Sequence, residues 1–356
     1  MEKEFQKGGG ESIAKLIALA RELGSDIATV TGNHLIEKAI RIPSGFTLIL
    51  DGCHLKMEDG VYDNLFVNEH HGTEIGRTLE GRDRGIRIIG KNGAVLDGGN
   101  YNGLSEKTQN RNGLPPVWKN NLILFTNVED FEISGISCRN QRWWAMNFIY
   151  CAHGKLCNVD FCACDVAIDE RGNSYHGLLR ERSEEALVKN ADGIDLRQGC
   201  HHVCIENVTG FTEDDTIALT ALNGSLEKAF SVEGLPADLC HVTVKNVHAS
   251  SFCSIVRLLN QGAIPLHHVE IEDVFDTSRD SPYMDRGIYA VRIGDNRLYG
   301  DRHSTAEETH HVSIKNVYGR GKHVIGLRGE IGNLTIEDVR AEEGTNPIMD
   351  RRGAVD

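Results

Sequence analysis

The chain has 356 residues, 40% of them hydrophobic and only 6% aromatic, with 38 glycines and 7 prolines. That composition suits short strands and tight turns around aliphatic side chains and excludes a disordered polymer. A formal net charge of −14, uninterrupted by any Lys/Arg-rich cluster, opposes nucleic-acid phosphates and anionic lipid, so neither nucleic acid nor a membrane is expected as a partner.

The length would allow two average domains, but elongated repeat folds reach this size as one unit, and a single domain over 1–356 is the expectation. At the N-terminus, Lys15, Arg21 and Glu22 break the apolar residues before any run could serve as a signal-peptide core or membrane span. A cytoplasmic protein is therefore expected, or a secreted one if a leader has been trimmed. Apolar side chains at Ile13, Leu16, Ile17, Ala20 and Leu23 follow one helical face and Gly24 supplies a stop, which predicts an amphipathic helix over 12–24. It would cap one end of whatever follows.

From Leu35 onward the period changes to short β-branched runs separated by Gly, Asn and Asp, as in 39–42, 47–50 and 85–89. Within them one phrase recurs: HVCIENV at 202–208, HVTVKNV at 241–247, HVEIEDV at 268–274, HVSIKNV at 311–317 and NLTIEDV at 333–339. Repetition of one strand-and-turn unit predicts a solenoid, and copy spacings of about 20 to 45 residues fit a parallel β-helix with loops of variable length. Val and Ile at alternate positions would point inward, with the Glu or Lys between them in solvent. The Asn or Asp before the last Val suits a turn and tolerates a left-handed backbone. The fold class is thus all-β, a right-handed parallel β-helix over roughly 35–340 with the N-terminal helix as its cap. The polar tail after Ala341 is expected to pack loosely or to meet another chain, which leaves a homo-oligomer open.

Ten of the residues are cysteine, but no CxxC pair occurs, and Cys162 and Cys164 read as buried thiols of a strand. Of the 16 histidines, His201, His202, His241, His267, His268, His310 and His311 recur at the repeat starts. Stacked structural positions account for them better than metal ligands, so no metal and no cofactor are expected.

Two acidic segments stand about one coil apart: NADGID at 190–195 and EDDTIA at 213–218. Neighbouring coils of a β-helix lie about 4.8 Å apart, so the two should sit side by side. Carboxylates crowded on one face repel one another, raising at least one pKa while another stays ionised, the division that acid–base hydrolysis needs. The alternative is that Asp192 and Asp195 only turn the chain while Asp214 and Asp215 start a helix or bind calcium.

These segments resemble motifs of glycoside hydrolase family 28, the polygalacturonase-like β-helix enzymes: 190–195 is similar to its Asn-Thr-Asp-Gly-Ile-Asp and 214–218 to its Asp-Asp-Cys-Ile-Ala. Further phrases at 95–99, 122–125, 131–136 and 141–145 extend the likeness over roughly 30–340. The resemblance implies that Asp214 is the general acid and that Asp192 and Asp215 hold and deprotonate the attacking water, with inversion at the anomeric carbon. Asn190, Asp195, Arg257 and Arg292 are the candidates for holding the sugar. The family's Gly-His-Gly aligns with 252–254, where Cys253 replaces the histidine, and its Arg-Ile-Lys aligns with 292–294, where Gly294 replaces the lysine. Loss of that cation at a uronate subsite makes a neutral sugar, a methylated uronide or a differently held uronate the expected substrate.

Trp143 and Trp144 precede the acidic cluster by one or two coils, where aromatic rings could wall a sugar groove or pack in the core. The polar stretch 169–189 should overhang the groove and narrow it for exo action on plant-derived oligosaccharides. Two rivals remain open: a polysaccharide lyase on the same scaffold and a non-catalytic, tailspike-like carbohydrate-binding β-helix.

Overall fold

The computed structural model describes residues 4–99, 119–141, 144–163, 167–168, 174–175, 191–280, 287–294, 302 and 304–353. The chain winds as a right-handed parallel β-helix around a 12-stranded and a 10-stranded sheet, and from the Val128–Arg139 strand onward each turn contributes one strand to each. Parallel pairing continues from the Ile27–Val30 strand to the Asn346–Arg351 strand.

The repeated phrase is the rung of the larger sheet. Val203, Val242, Val269, Val312 and Leu334 pair in unbroken register from copy to copy. Val203, Ile205 and Val208 are buried, as are their counterparts in the next three coils, while Leu334, Ile336 and Val339 of the last copy are half-buried. The inward positions thus come two residues apart and then three, instead of alternating throughout. Asn207 explains the extra step: its φ of 57° is left-handed, and Asn246, Asp273, Asn316 and Asp338 repeat that conformation at 52°, 59°, 53° and 52°. One left-handed residue turns the strand and exchanges which face the following side chain meets. The amides also bond along the stack, with Asn246 Nδ2 donating to Asn207 Oδ1 at 2.7 Å and Asn207 Nδ2 to Asn158 Oδ1 at 3.1 Å. On the solvent side, Glu206, Lys245, Glu272 and Lys315 alternate in sign from rung to rung, and Lys245 reaches Glu272 at 2.9 Å.

Inside, aliphatic rows stack against Phe125, Phe131 and Phe148, the last two lying face to face with centroids 5.0 Å apart. Gly154 leaves the room this requires, since a Cβ there would lie 2.1 Å from the Phe131 ring. The helix spans Gly9–Glu22, three residues earlier than its apolar period predicts. Two glycines are poor helix formers, but a Cβ at Gly9 would meet His34 Cβ at 2.6 Å, and the Glu37 carboxylate accepts the Gly10 and Glu11 amides at 3.0 and 2.8 Å. Close packing and an acidic cap at the helix N-terminus override propensity here. Ile13 and Ile17 seal the end of the core as expected, whereas Leu23 lies past the helix and is 76% exposed.

Two further expectations are corrected. The tail after Ala341 is not loose: its Asn346–Arg351 strand pairs with His323–Arg328 as the last rung of the smaller sheet. Cys162 is half-buried rather than buried, because it lies on the outward side of its strand; Cys164 is outside the described residues. Among the described residues no disulfide forms, and no helix is long and apolar enough to cross a membrane.

Candidate active site

The smaller sheet supplies the site. Along it, Ile194, Ile217, Val256, Val291 and Ile325 pair in register and fill the core. By the two-residue period of a strand, the next position on each rung faces outward. Those positions are Asn147, Asp195, Ala218, Arg257, Arg292 and Gly326, one ladder running across six coils. Ala218, small and buried, stands between the acidic rung and the two arginine rungs.

Backbone hydrogen bonds then draw the two acidic segments together. Gly193 N donates to Asp215 O at 3.0 Å, Ile194 N to Thr216 O at 2.9 Å, and Glu213 N to Ala191 O at 3.1 Å. Position 193 must be glycine for this approach, because a Cβ there would stand 2.3 Å from Thr216 O. The next coil locks the turn: Thr212 Oγ1 and Ser251 Oγ both donate to Asp214 O, at 2.7 and 2.6 Å, and Thr216 N donates to Ser254 O at 3.0 Å. Asp192 thus meets the Asp214–Asp215 pair through main-chain geometry, not through flexible side chains.

Burial and mutual repulsion give these four carboxyls unequal acidity. Burial pushes Asp195 up to about 8, with Arg197 opposing and Asp215 and Asp214 adding to the rise. Burial together with Asp215 pushes Asp214 up to about 7, against a hydrogen bond from the Cys253 thiol and the charge of Arg257. Asp192 rises well above the usual range through burial and the charges of Asp195, Asp214 and Asp215. Asp215 is also raised by burial, but Arg257, Ser254 and Arg292 counter it. Cys253, buried beside Asp214, stays a protonated thiol. Four carboxyls so placed titrate as a group, and they cannot all be ionised at neutral pH. Oδ1 of Asp192, Oδ1 of Asp215, and Nε and Nη2 of Arg257 are buried without a hydrogen-bond partner among the described residues, polar atoms that a bound hydroxylated ligand could satisfy.

Of the other residues singled out in the sequence, Arg257 and Arg292 join the carboxylates. Trp144 pairs in register with Asp192 and packs, half-buried, against a hydrophobic cluster that includes Leu124 and Ile149. Asn190, Trp143 and the stretch 169–189, apart from Ser174 and Tyr175 within it, lie outside the described residues. Gly294 does more than omit a cation: its φ is 77° and a Cβ would stand 2.1 Å from Arg328 O, so this rung closes over backbone where a longer side chain does not fit.

Arg197 was missed. Its guanidinium lies 4.0 Å over the Trp144 ring, its Nε donates to Asn147 Oδ1 at 3.1 Å, and it reaches Asp195 and Glu227 at 3.6 Å each. It is the buried cation that partly compensates the acidic rung. The only available signal was its position two residues after Asp195, on the same strand face.

Comparison with known proteins follows the same coils. No match was found among curated protein sequences. Among solved structures, the chain is similar to the hyperthermoactive exopolygalacturonase of Thermotoga maritima, at 13% identity with 96% of this chain and 90% of that one covered and a TM-score of 0.55. It is similar to the endo-xylogalacturonan hydrolase of Aspergillus tubingensis, at 14% identity, 97% and 94% coverage and a TM-score of 0.56. The polygalacturonase of Erwinia carotovora ssp. carotovora matches at 12% identity, 92% and 87% coverage and a TM-score of 0.51. Identities this low establish the shared β-helix and no more. The sequence model of glycosyl hydrolases family 28, however, matches residues 37–234, a span that holds Asp192, Asp214 and Asp215 and more than half of the chain. On that match the protein belongs to glycosyl hydrolases family 28 and is a glycoside hydrolase.

Proposed function

We propose that the cleft hydrolyses its glycosidic bond by single displacement, with Asp214 as the general acid and Asp192 and Asp215 holding and deprotonating the water. The observation that carries this reading is the pair of backbone ladders that set Asp192 one rung from Asp214 and Asp215, with Arg257 and Arg292 on the next two rungs. Asp214, raised to about 7, retains a proton to give the leaving oxygen. Asp215, faced by both arginines, is the member best kept ionised. Water enters from the side away from the acid, so the C–O bond to the leaving group breaks as water's oxygen bonds to the anomeric carbon. Water's proton passes to the carboxylate and the acid's proton to the leaving sugar. Cys253, which donates to Asp214, favours its ionised form and so helps it release the proton.

The substrate is proposed to be a plant-derived oligosaccharide, cleaved from its end, whose ring next to the cleaved bond is neutral or esterified. Support comes from the Arg292 rung, where Gly294 packs on Arg328 O and offers no cation. A panel of neutral, methyl-esterified and free uronic oligosaccharides, followed by reducing ends, by absorbance of unsaturated uronides and by NMR of the first-formed anomer, tests the reading. Inverted product without absorbance is expected, and Asp214→Asn should lose about 10²–10⁴-fold in kcat. Retained configuration, unsaturated product or near-wild-type turnover of Asp214→Asn would each overturn it.

A further inference from the structure

The histidines that open the repeats form two files along the larger sheet, beyond the end of the long strands opposite to the carboxylates. The outer file is His153, His202, His241, His268 and His311, all left-handed with φ between 52° and 54°. Successive rings stack at 5.1, 4.6, 4.8 and 4.7 Å. The inner file, one residue earlier, is His201, Cys240, His267 and His310, paired rung to rung in register. Stacking alone accounts for the outer file. It accounts only in part for the inner one, where His267 and His310 stack at 4.9 Å but Cys240 has no ring, and from His202 onward the residue before each outer histidine is a nitrogen or sulfur ligand.

The left-handed turn between the files swings the two rings of a rung toward each other. Nδ1 of His201 lies 3.0 Å from Nδ1 of His202, His267 Nδ1 2.7 Å from His268 Nδ1, and His310 Nδ1 2.5 Å from His311 Nδ1. At these separations one Nδ1 of each pair donates to the other, and a zinc ion at about 2.0–2.1 Å from both would take that proton's place with the nitrogens parted to about 3.3 Å. A third imidazole completes two of the groups: the ligand atoms of His153, His201 and His202 lie within 4.8 Å of one another, as do those of His268, His310 and His311. The Asn333 carboxamide lies against Nε2 of His311, its Nδ2 at 3.1 Å, and Asp238 stands 3.6 Å from Nε2 of His267. The Asp238 carboxylate can accept from Nε2 of His267 and leave its Nδ1 turned to His268, the usual way an outer group orients a histidine. The outer rings line an open groove of about 680 Å³ with Thr243 and Asn333, so an ion has a path in.

We propose that this strip binds divalent transition-metal ions of the imidazole-preferring kind, such as zinc or copper, at His268–His310–His311 and at His153–His201–His202. Three nitrogens without a carboxylate suit that class and not calcium or magnesium. The sites are distinct from the hydrolytic cleft, and their occupation does not depend on the reading given for it.

The test uses the full chain without a polyhistidine tag, stripped with chelator, dialysed, and titrated with Zn²⁺ and separately with Ca²⁺ by calorimetry. Co²⁺ absorption reports the coordination geometry. Saturable zinc binding without calcium binding is expected. The double variant His310→Ala/His311→Ala should lose one ion, His201→Ala/His202→Ala the other, and both variants should keep the circular dichroism spectrum of the parent. No saturable zinc uptake, or uptake unchanged in both folded variants, would overturn the proposal. Should a double variant fail to fold, His268→Gln and His153→Gln remove one exposed ligand each and decide it by the same criterion.

Discussion

Replacing Asp195 by asparagine should stabilise the protein above neutral pH and leave it unchanged near pH 4. The carboxyl is 1% exposed, and burial is the largest reason it is pushed up to about 8, whereas in an unfolded chain it would ionise near pH 3.9. Between those values the folded protein holds a proton that the unfolded chain has released, so stability is fully present below about pH 4 and is lost as pH rises through about 8. About four pK units at about 1.4 kcal/mol each set a ceiling near 6 kcal/mol. The proton is shared among Asp192, Asp195, Asp214 and Asp215, so removing one charge relieves only part of it, and about 2–3 kcal/mol is the expected gain at about pH 9. Arg197 is not orphaned by the change, since Asn147 at 3.1 Å and Glu227 at 3.6 Å remain. Guanidinium unfolding at about pH 4.5, 6.5 and 9, followed by tryptophan fluorescence, measures the difference. A gain equal at all three pH values, or a loss at the highest, would refute the electrostatic reasoning.

Three more outcomes follow from the site. kcat/KM should fall above about pH 7 as Asp214 deprotonates and fall again at low pH as Asp215 gains a proton; a flat profile over that range would remove the acid–base pair. Gly193→Ala should cost about 3 kcal/mol, because its Cβ meets Thr216 O and the Phe161 ring. A midpoint shift in denaturant worth under about 1 kcal/mol would show that the two acidic segments are not so tightly joined. Arg197→Lys keeps the charge but loses the plane over Trp144, and should lower kcat/KM about tenfold or more with the fold intact; wild-type kinetics would deny Arg197 a positioning role.

The coil was readable because its signals are local. Each Asn or Asp before the last Val of a phrase adopts the left-handed turn its side chain tolerates, and the Val and Ile positions of the phrase are the core rows. The approach of the two acidic segments was readable because they stand about one coil apart in the sequence and neighbouring coils pair. What escaped depends on neighbours that are distant in sequence. A lone Arg197 inside a strand reads as a solvent-facing charge until Trp144, three rungs of the same ladder and Glu227 surround it. The helix starts at Gly9 because His34 and Glu37 demand it, and the last strand, Asn346–Arg351, has no alternation because both of its faces are exposed, with Met349 alone half-buried. The hydroxyl clamp of Thr212 and Ser251 on Asp214 O likewise joins two coils 37 residues apart.

Because Asp192 and the Asp214–Asp215 pair are fixed to each other by main-chain bonds between adjacent turns, the chain that leaves and re-enters those turns is a separate degree of freedom. A lineage could exchange whole connecting segments, lengthening some and trimming others, and change which sugar is admitted without moving the acid relative to the base. In such a scaffold, selectivity and chemistry can be inherited independently, and chimeras that swap connecting segments between relatives at constant rungs would be viable starting points for altering the one while preserving the other.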